Sequence, residues 1–220
     1  MHKSYVFTAV FLLGACIGFF ADAAGRRLAR EGLAKQRRSV FIALVSGLVG
    51  AILLLRLDAS AAFLFAVTAF AFLLVHSLTD MSNGNVYDVV TLAMTAAGIA
   101  LRLLLGGVPA LVNGALGAAF GFCVITAPTL IRRETVGTGD AVLMLGTGVM
   151  LGWQMTLLTL YFGFIIGGVF VVPQLLTKNL RAKDAVPLAP FLTAGALVSV
   201  CVGEQVFTFL RTPLAWPWVM

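Results

Sequence analysis

Negative charge is scarce in this chain: nine Asp and Glu stand among 220 residues, and charged residues of both signs make up only 11%. With 60% of residues hydrophobic, the polar surface is too small to coat a globule in water, which excludes an ordinary soluble domain. Cysteine is nearly as sparse. Cys16, Cys123 and Cys201 stand singly in apolar runs, with no pair at metal-ligand spacing and no even set for disulfides. Each is expected to pack as a small apolar side chain, and no metal site is expected. The alternation of an outer-membrane barrel is absent. The net charge of +6 is not gathered on a basic face with interleaved aromatics, so nucleic acid is not an expected partner.

What the chain has instead is long apolar runs, several of them near the ~20 residues that a helix needs to cross hydrocarbon. Glycine, proline and charge divide them into segments near 4–23, 40–55, 61–79, 89–105, 110–131, 141–152, 156–176 and 188–210. The reading is an all-α, polytopic integral membrane bundle of about eight crossings, a single membrane domain over 1–220. Lysine and arginine orient it. Arg26, Arg27, Arg30, Lys35, Arg37, Arg38, Arg132, Arg133, Lys178, Arg181 and Lys183 all fall on one side if the first loop is cytoplasmic, which puts both termini outside. The basic loop at 25–39 sets this topology and is also suited to anionic lipid headgroups. A rival at the N-terminus is a secretory signal ending in Ala21-Asp22-Ala23, with cleavage before Ala24. Cleavage would export six basic residues against the charge pattern, so a retained first helix is expected.

Charge inside a bilayer is costly enough to point to function. Asp80 closes the third segment in HSLTDMSNGNVYD, and Asp140 opens the sixth in VGTGDAVLML. Two crossings separate them, so both carboxyls belong at the same membrane boundary. Gly137 and Gly139 would let two backbones approach closely there. Two carboxyls in one site do not both ionise cheaply, so one stays anionic while the other keeps its proton. The anion can deprotonate a water that attacks a peptide carbonyl, and the protonated partner can polarise that carbonyl. Such aspartic proteolysis needs no cofactor. The structural alternative is that each aspartate caps a helix, a role that suits Asp140 better than Asp80. His76, four residues before Asp80, is expected at the interface without a special role. Asn83, Gly84 and Asn85 read as a turn.

At these residues the sequence resembles the type IV prepilin peptidases, polytopic membrane aspartic proteases of the GxGD class. Gly137-Thr138-Gly139-Asp140 matches their G-x-G-D. Asp80 matches their other aspartate, which opens a D-x-x-x-x-x-[LI]-P-[DN] stretch; here DMSNGNVYD keeps Val86 and Asp88 in register but has Tyr87 at the proline. AVPLAPFLTAGALV, residues 185–198, resembles a third segment near the last helix. The resemblance implies Asp80 and Asp140 as the catalytic pair, and prepilin or pseudopilin substrates cut on the cytoplasmic side of the inner membrane after a short basic leader ending in glycine. Asp88, Glu134 and Asp184 are candidates for attracting that leader. Many members carry two zinc-binding CxxC pairs after the first helix, a domain tied to a second, methylating activity. This chain has AGRRLAREGLAKQRRS there.

Three other readings stand beside this one. Tyr87-Asp88 with G-x-G-D is similar to the presenilin-like intramembrane proteases, which would make Asp88 the partner of Asp140. A small transporter would line a path with Asp80, Asp140 and Arg102, though no internal repeat is apparent. A non-catalytic component of a pilus or secretion assembly would keep the fold alone.

Overall fold

A computed structural model describes residues 2–29, 36–58, 60–131, 137–178 and 185–218. Every regular element among them is an α-helix: α1 (His2–Ala29), α2 (Gln36–Leu57), α3 (Ala61–Asn83), α4 (Asp88–Ile131), α5 (Thr138–Leu176) and α6 (Ala189–Phe209). All six contain stretches long and apolar enough to cross a membrane, so the chain is a multi-pass helical membrane protein. Their ends follow local chemistry. Ser60 caps α3 by accepting the Phe63 N–H at 3.3 Å, and Pro190 sits in the first turn of α6, where a missing N–H costs nothing.

Six helices stand where eight segments were expected, and the difference lies at two boundaries. The 44 residues of α4 would extend about 66 Å if straight, twice the hydrocarbon thickness. The helix instead breaks at Gly107, whose φ of 67° and ψ of −161° suit no side-chain-bearing residue. The chain reverses there. A Cβ placed on Gly114 would fall 2.6 Å from the Arg102 guanidinium, twelve residues earlier, a contact no straight helix allows. Gly152, with φ 76° and ψ 169°, divides α5 in the same way. Its first arm, 138–151, packs on α4, where Gly146 meets Thr91 and Thr95. Its second arm, 153–176, returns along α6, where Gly163 meets Leu192. Neither reversal has a loop, because helix resumes at the next residue.

With these reversals, one end of the bundle gathers the close of α1 and α3, the starts of α2, α4, α5 and α6, and the last turns of α4 and α5. The opposite end is closed by polar side chains and the tail. Arg102 donates to the carbonyls of Val149, Ala110 and Met150, the last two at 2.7 and 3.0 Å, and its guanidinium lies over the Phe65 ring. Gln154 donates to Pro213 O at 2.8 Å and accepts the Ala215 N–H, while the Trp218 indole donates to Leu151 O at 2.7 Å. Between the two ends, Phe65, Leu73, Met94, Leu143, Met144, Leu151 and Leu192 form a close-packed core. Val89, Leu104, Leu176 and Phe209 point outward, as lipid-facing side chains do.

Candidate active site

The end that gathers the helix starts holds the acidic pair. Asp80 lies in the last turn of α3, on a buried face with His76, Ser77 and Thr79. Its Oδ2 accepts the Ala189 backbone N–H at 2.9 Å, and the Leu188 N–H also points to it. Those amides open α6, so Asp80 occupies the N-terminal pole of a helix remote in sequence, where backbone donors and the helix dipole both favour a carboxylate. Ser77 and Thr193 share a 2.6 Å hydrogen bond one turn further in, which fastens α3 to α6 and holds this geometry. Capping therefore does occur at Asp80, on α6 and not on its own helix.

Asp140 lies in the first turn of α5 and is half-buried. Its backbone N–H bonds to Gly137 O at 3.1 Å, but among the described residues no group donates to its carboxyl. Its charged neighbour is Asp80, whose charge acts on the Asp140 carboxyl. Residues sixty apart in sequence are thus brought to one spot. The two glycines before Asp140 differ in what they permit. Gly139 packs on the segment following Asp80, and a Cβ there would lie 3.0 Å from Val86 Cβ. Gly137 has ordinary extended backbone and room for a side chain, with the nearest atom, Asp140 Oδ2, at 3.6 Å. Close approach rests on Gly139.

The stretch joining α3 to α4 is held from outside the pair. Tyr87 donates its hydroxyl to Leu28 O on α1 at 2.6 Å and accepts from Asn83 at 3.0 Å. A tyrosine anchored at its hydroxyl thereby restrains residues 84–87. Asp88, one residue on, is exposed at the start of α4. Glu134 and Asp184 lie outside the described residues. Arg102 sits at the other end of the bundle with its donors engaged, so it lines no path with the aspartates.

Two features escaped the sequence reading. His76 is fully buried, not interfacial; its Nε2 lies 3.2 Å from the Thr91 hydroxyl, and its Nδ1 has no partner among the described residues. Asp22, met in sequence only as part of a possible cleavage site, is fully buried with Arg26 at 2.8 Å, Arg38 at 3.2 Å and the Ser39 hydroxyl at 2.7 Å. That cluster joins α1 to α2 beside the active end. Its sequence signal was an aspartate one helical turn before an arginine. Among the described residues no cluster of three or more His, Cys, Asp and Glu has the form of a metal site.

Comparison with known proteins adds independent findings. Residues 67–172, which include both aspartates, match the type IV leader peptidase family. A prepilin leader peptidase/N-methyltransferase of Bacillus subtilis is 31% identical over 96 residues, 44% of this chain and 39% of that protein. A protein of the same description from Burkholderia pseudomallei is 29% identical over 177 residues, 79% of this chain and 57% of its own. One from Aeromonas salmonicida is 26% identical over 132 residues, 58% and 45% of the two chains. The chain spans about half the length of the curated relatives it matches. No solved structure matches it significantly.

Proposed function

We propose, on the match of residues 67–172 to the type IV leader peptidase family, that this chain is a membrane aspartic endopeptidase that removes the short basic leader of prepilin-like proteins. The observation that carries the reading is that Asp80, in the last turns of α3, and Asp140, in the first turn of α5, lie at one end of the bundle, where Gly139 packs on Val86 of the segment that follows Asp80. One carboxyl, anionic, takes a proton from water as the water oxygen attacks the scissile carbonyl carbon. The other, protonated, donates to the carbonyl oxygen. The tetrahedral diol then collapses: a proton passes to the amide nitrogen, the C–N bond breaks, and the pair returns to its shared single-proton state. Gly139 lets the start of α5 lie against Val86, which brings the two acids together. The pair titrates as a unit, so the shared proton belongs to the site and not to one residue.

The sidedness follows from charge. Arg26, Arg27 and Arg38 lie near the active end, and the positive-inside rule orients such an end toward the cytoplasm of a bacterial or archaeal membrane. Substrates would then meet the pair before their apolar helix leaves the inner leaflet. Purified full-length protein incubated with a prepilin should release a product shortened at its N-terminus, read by mass spectrometry. Asp80→Asn and Asp140→Asn should each release none, while Asp88→Asn keeps much of the activity. Cleavage that survives at Asp80→Asn but is lost at Asp88→Asn would transfer the role to the Tyr87-Asp88 pair, and no product from the unaltered protein would overturn the enzyme.

A further inference from the structure

The two arms of α4 do not pack on each other along their whole length. Near the Gly107 reversal Arg102 stitches them together, bonding Ala110 across the turn and packing on Gly114. Toward the active end a cleft of about 540 Å³ lies between them, floored by the first arm of α5. One wall is Asp88, Leu92 and Thr95 of the first α4 arm; the second arm contributes Ala118, and Val142 and Leu145 form the floor. From Asp88 to Thr95 the cleft runs on the order of 10 Å along the helix axis, about two turns. Arg102 joins the two arms on the Gly107 side of it, and Asp88 lines it at the end that carries the acidic pair.

We infer that this cleft seats the first turns of the apolar helix of a leader-bearing substrate, with Asp88 at its mouth engaging a cationic residue of the leader; this rests on the peptidase reading above. Three observations on the cleft agree. Its lining below the mouth is aliphatic apart from Thr91 and Thr95, which suits a helix of ordinary apolar side chains. Its mouth carries a carboxylate that is exposed and without an ion-pair partner among the described residues. That charge repels the phosphate of a lipid headgroup and attracts lysine or arginine, so it selects a cationic peptide over a phospholipid whose chain would otherwise fill the space. The floor is the helix that carries Asp140. Val142 and Leu145 face the cleft while Asp140 faces the buried side with Met144, so a peptide leaving the mouth has to pass over only the start of α5 to reach the two acids. Arg26 and Arg38 of the α1–α2 hairpin are engaged elsewhere, both with Asp22, Arg26 also with Ser39 and Arg38 also with Ser82.

Photocrosslinking in vesicles separates this proposal from the peptidase reading. The full chain would carry Leu92→benzoylphenylalanine at the cleft, an exposed position, and separately Leu104→benzoylphenylalanine on the outward face of the same arm. The probe is a synthetic peptide with a lysine-containing leader ending in glycine, followed by about twenty apolar residues. The Leu92 variant should capture the apolar part of this peptide at ten times the yield of the Leu104 variant or more. Asp88→Asn in the Leu92 background should lower that yield several-fold for the lysine leader and leave it unchanged for a leader with glutamine in its place. Capture of lipid only at Leu92, or equal yields at the two positions, overturns the cleft. An unchanged yield in Asp88→Asn overturns the role of the mouth. Adduct without a cleaved product would remove the peptidase reading and keep the cleft, whereas cleavage without adduct would do the reverse.

Discussion

Asp80 is asked to do two things, and substitution can separate them. Its carboxylate accepts the Ala189 N–H at 2.9 Å at a position that is only 7% exposed, and in the proposed reaction it shares a proton with Asp140. Asp80→Ala removes both roles. The Ala189 amide is then left buried without an acceptor, which costs about 1–3 kcal/mol, and for a chain of this size each kcal/mol lowers the thermal midpoint by about 2–4 °C. The expected fall is therefore on the order of 2–12 °C, with α6 loosened at its start. Asp80→Asn keeps an oxygen in the same place to accept that amide, so its midpoint should stay within about 4 °C of the unaltered protein. It still lacks the ionisable group, and cleavage should fall at least about a hundredfold, the lower bound for loss of a positioned acid or base. Thermal unfolding in detergent and single-turnover cleavage of a prepilin, run on both variants, read the two roles apart. Near-normal cleavage by Asp80→Asn would show that Asp80 only caps α6. Destabilisation by Asp80→Asn equal to that of Asp80→Ala would show that the hydrogen bond to Ala189 does not hold the helix start.

Three further outcomes follow from named contacts. Gly139→Ala should lower the cleavage rate by about tenfold, because its new methyl displaces Val86 and shifts the Asp140 carboxyl by a fraction of the ~1 Å that costs a hundredfold; Gly137→Ser, with room for its side chain and a preferred capping group, should stay within about 0.5 kcal/mol, roughly twofold. Equal losses at the two glycines would contradict that distinction. Gly152→Ala should destabilise the protein by about 1–3 kcal/mol from backbone strain alone, and more once its Cβ meets the Asn113 amide at 2.9 Å; a midpoint unchanged in thermal unfolding would argue against the reversal. Tyr87→Phe should cost about 0.5–1.5 kcal/mol and speed hydrogen exchange in residues 84–88, and unaltered exchange there would mean that the Leu28 contact does not restrain the segment.

How much of this was legible beforehand depends on how local the determining contact is. Helix α3 and the placement of Asp80 and Asp140 at one boundary followed from apolar runs and the parity of crossings, because hydrophobic length is written residue by residue. The reversals at Gly107 and Gly152 were foreseen only as breaks, one between segments near 106–109 and one at Gly152-Trp153-Gln154. A loop leaves a polar stretch in the sequence, while a single left-handed glycine leaves none. The cap that Asp80 provides for α6 joins residues 109 apart, and nothing near either one announces the other. Arg102 entered the sequence reading only through the rival transporter path, and its actual partners, three backbone carbonyls from two other helix arms, leave no mark near it in the sequence. Tyr87 was read as a lost proline, and its anchoring hydroxyl bond to α1 became visible only in three dimensions.

The two loopless reversals also bear on which side of the membrane can touch this protein. Among the described residues at the end away from the acids, Asp58 and Ser60 flank the step from α2 to α3, Gly107 and Gly152 make the two reversals, and the tail is tied down by Gln154 and Trp218. A protease, antibody or regulatory partner approaching from that side meets almost no free backbone to grip. On the proposed reading, the backbone open to a regulatory contact lies within the bilayer or at the end that carries Asp80 and Asp140.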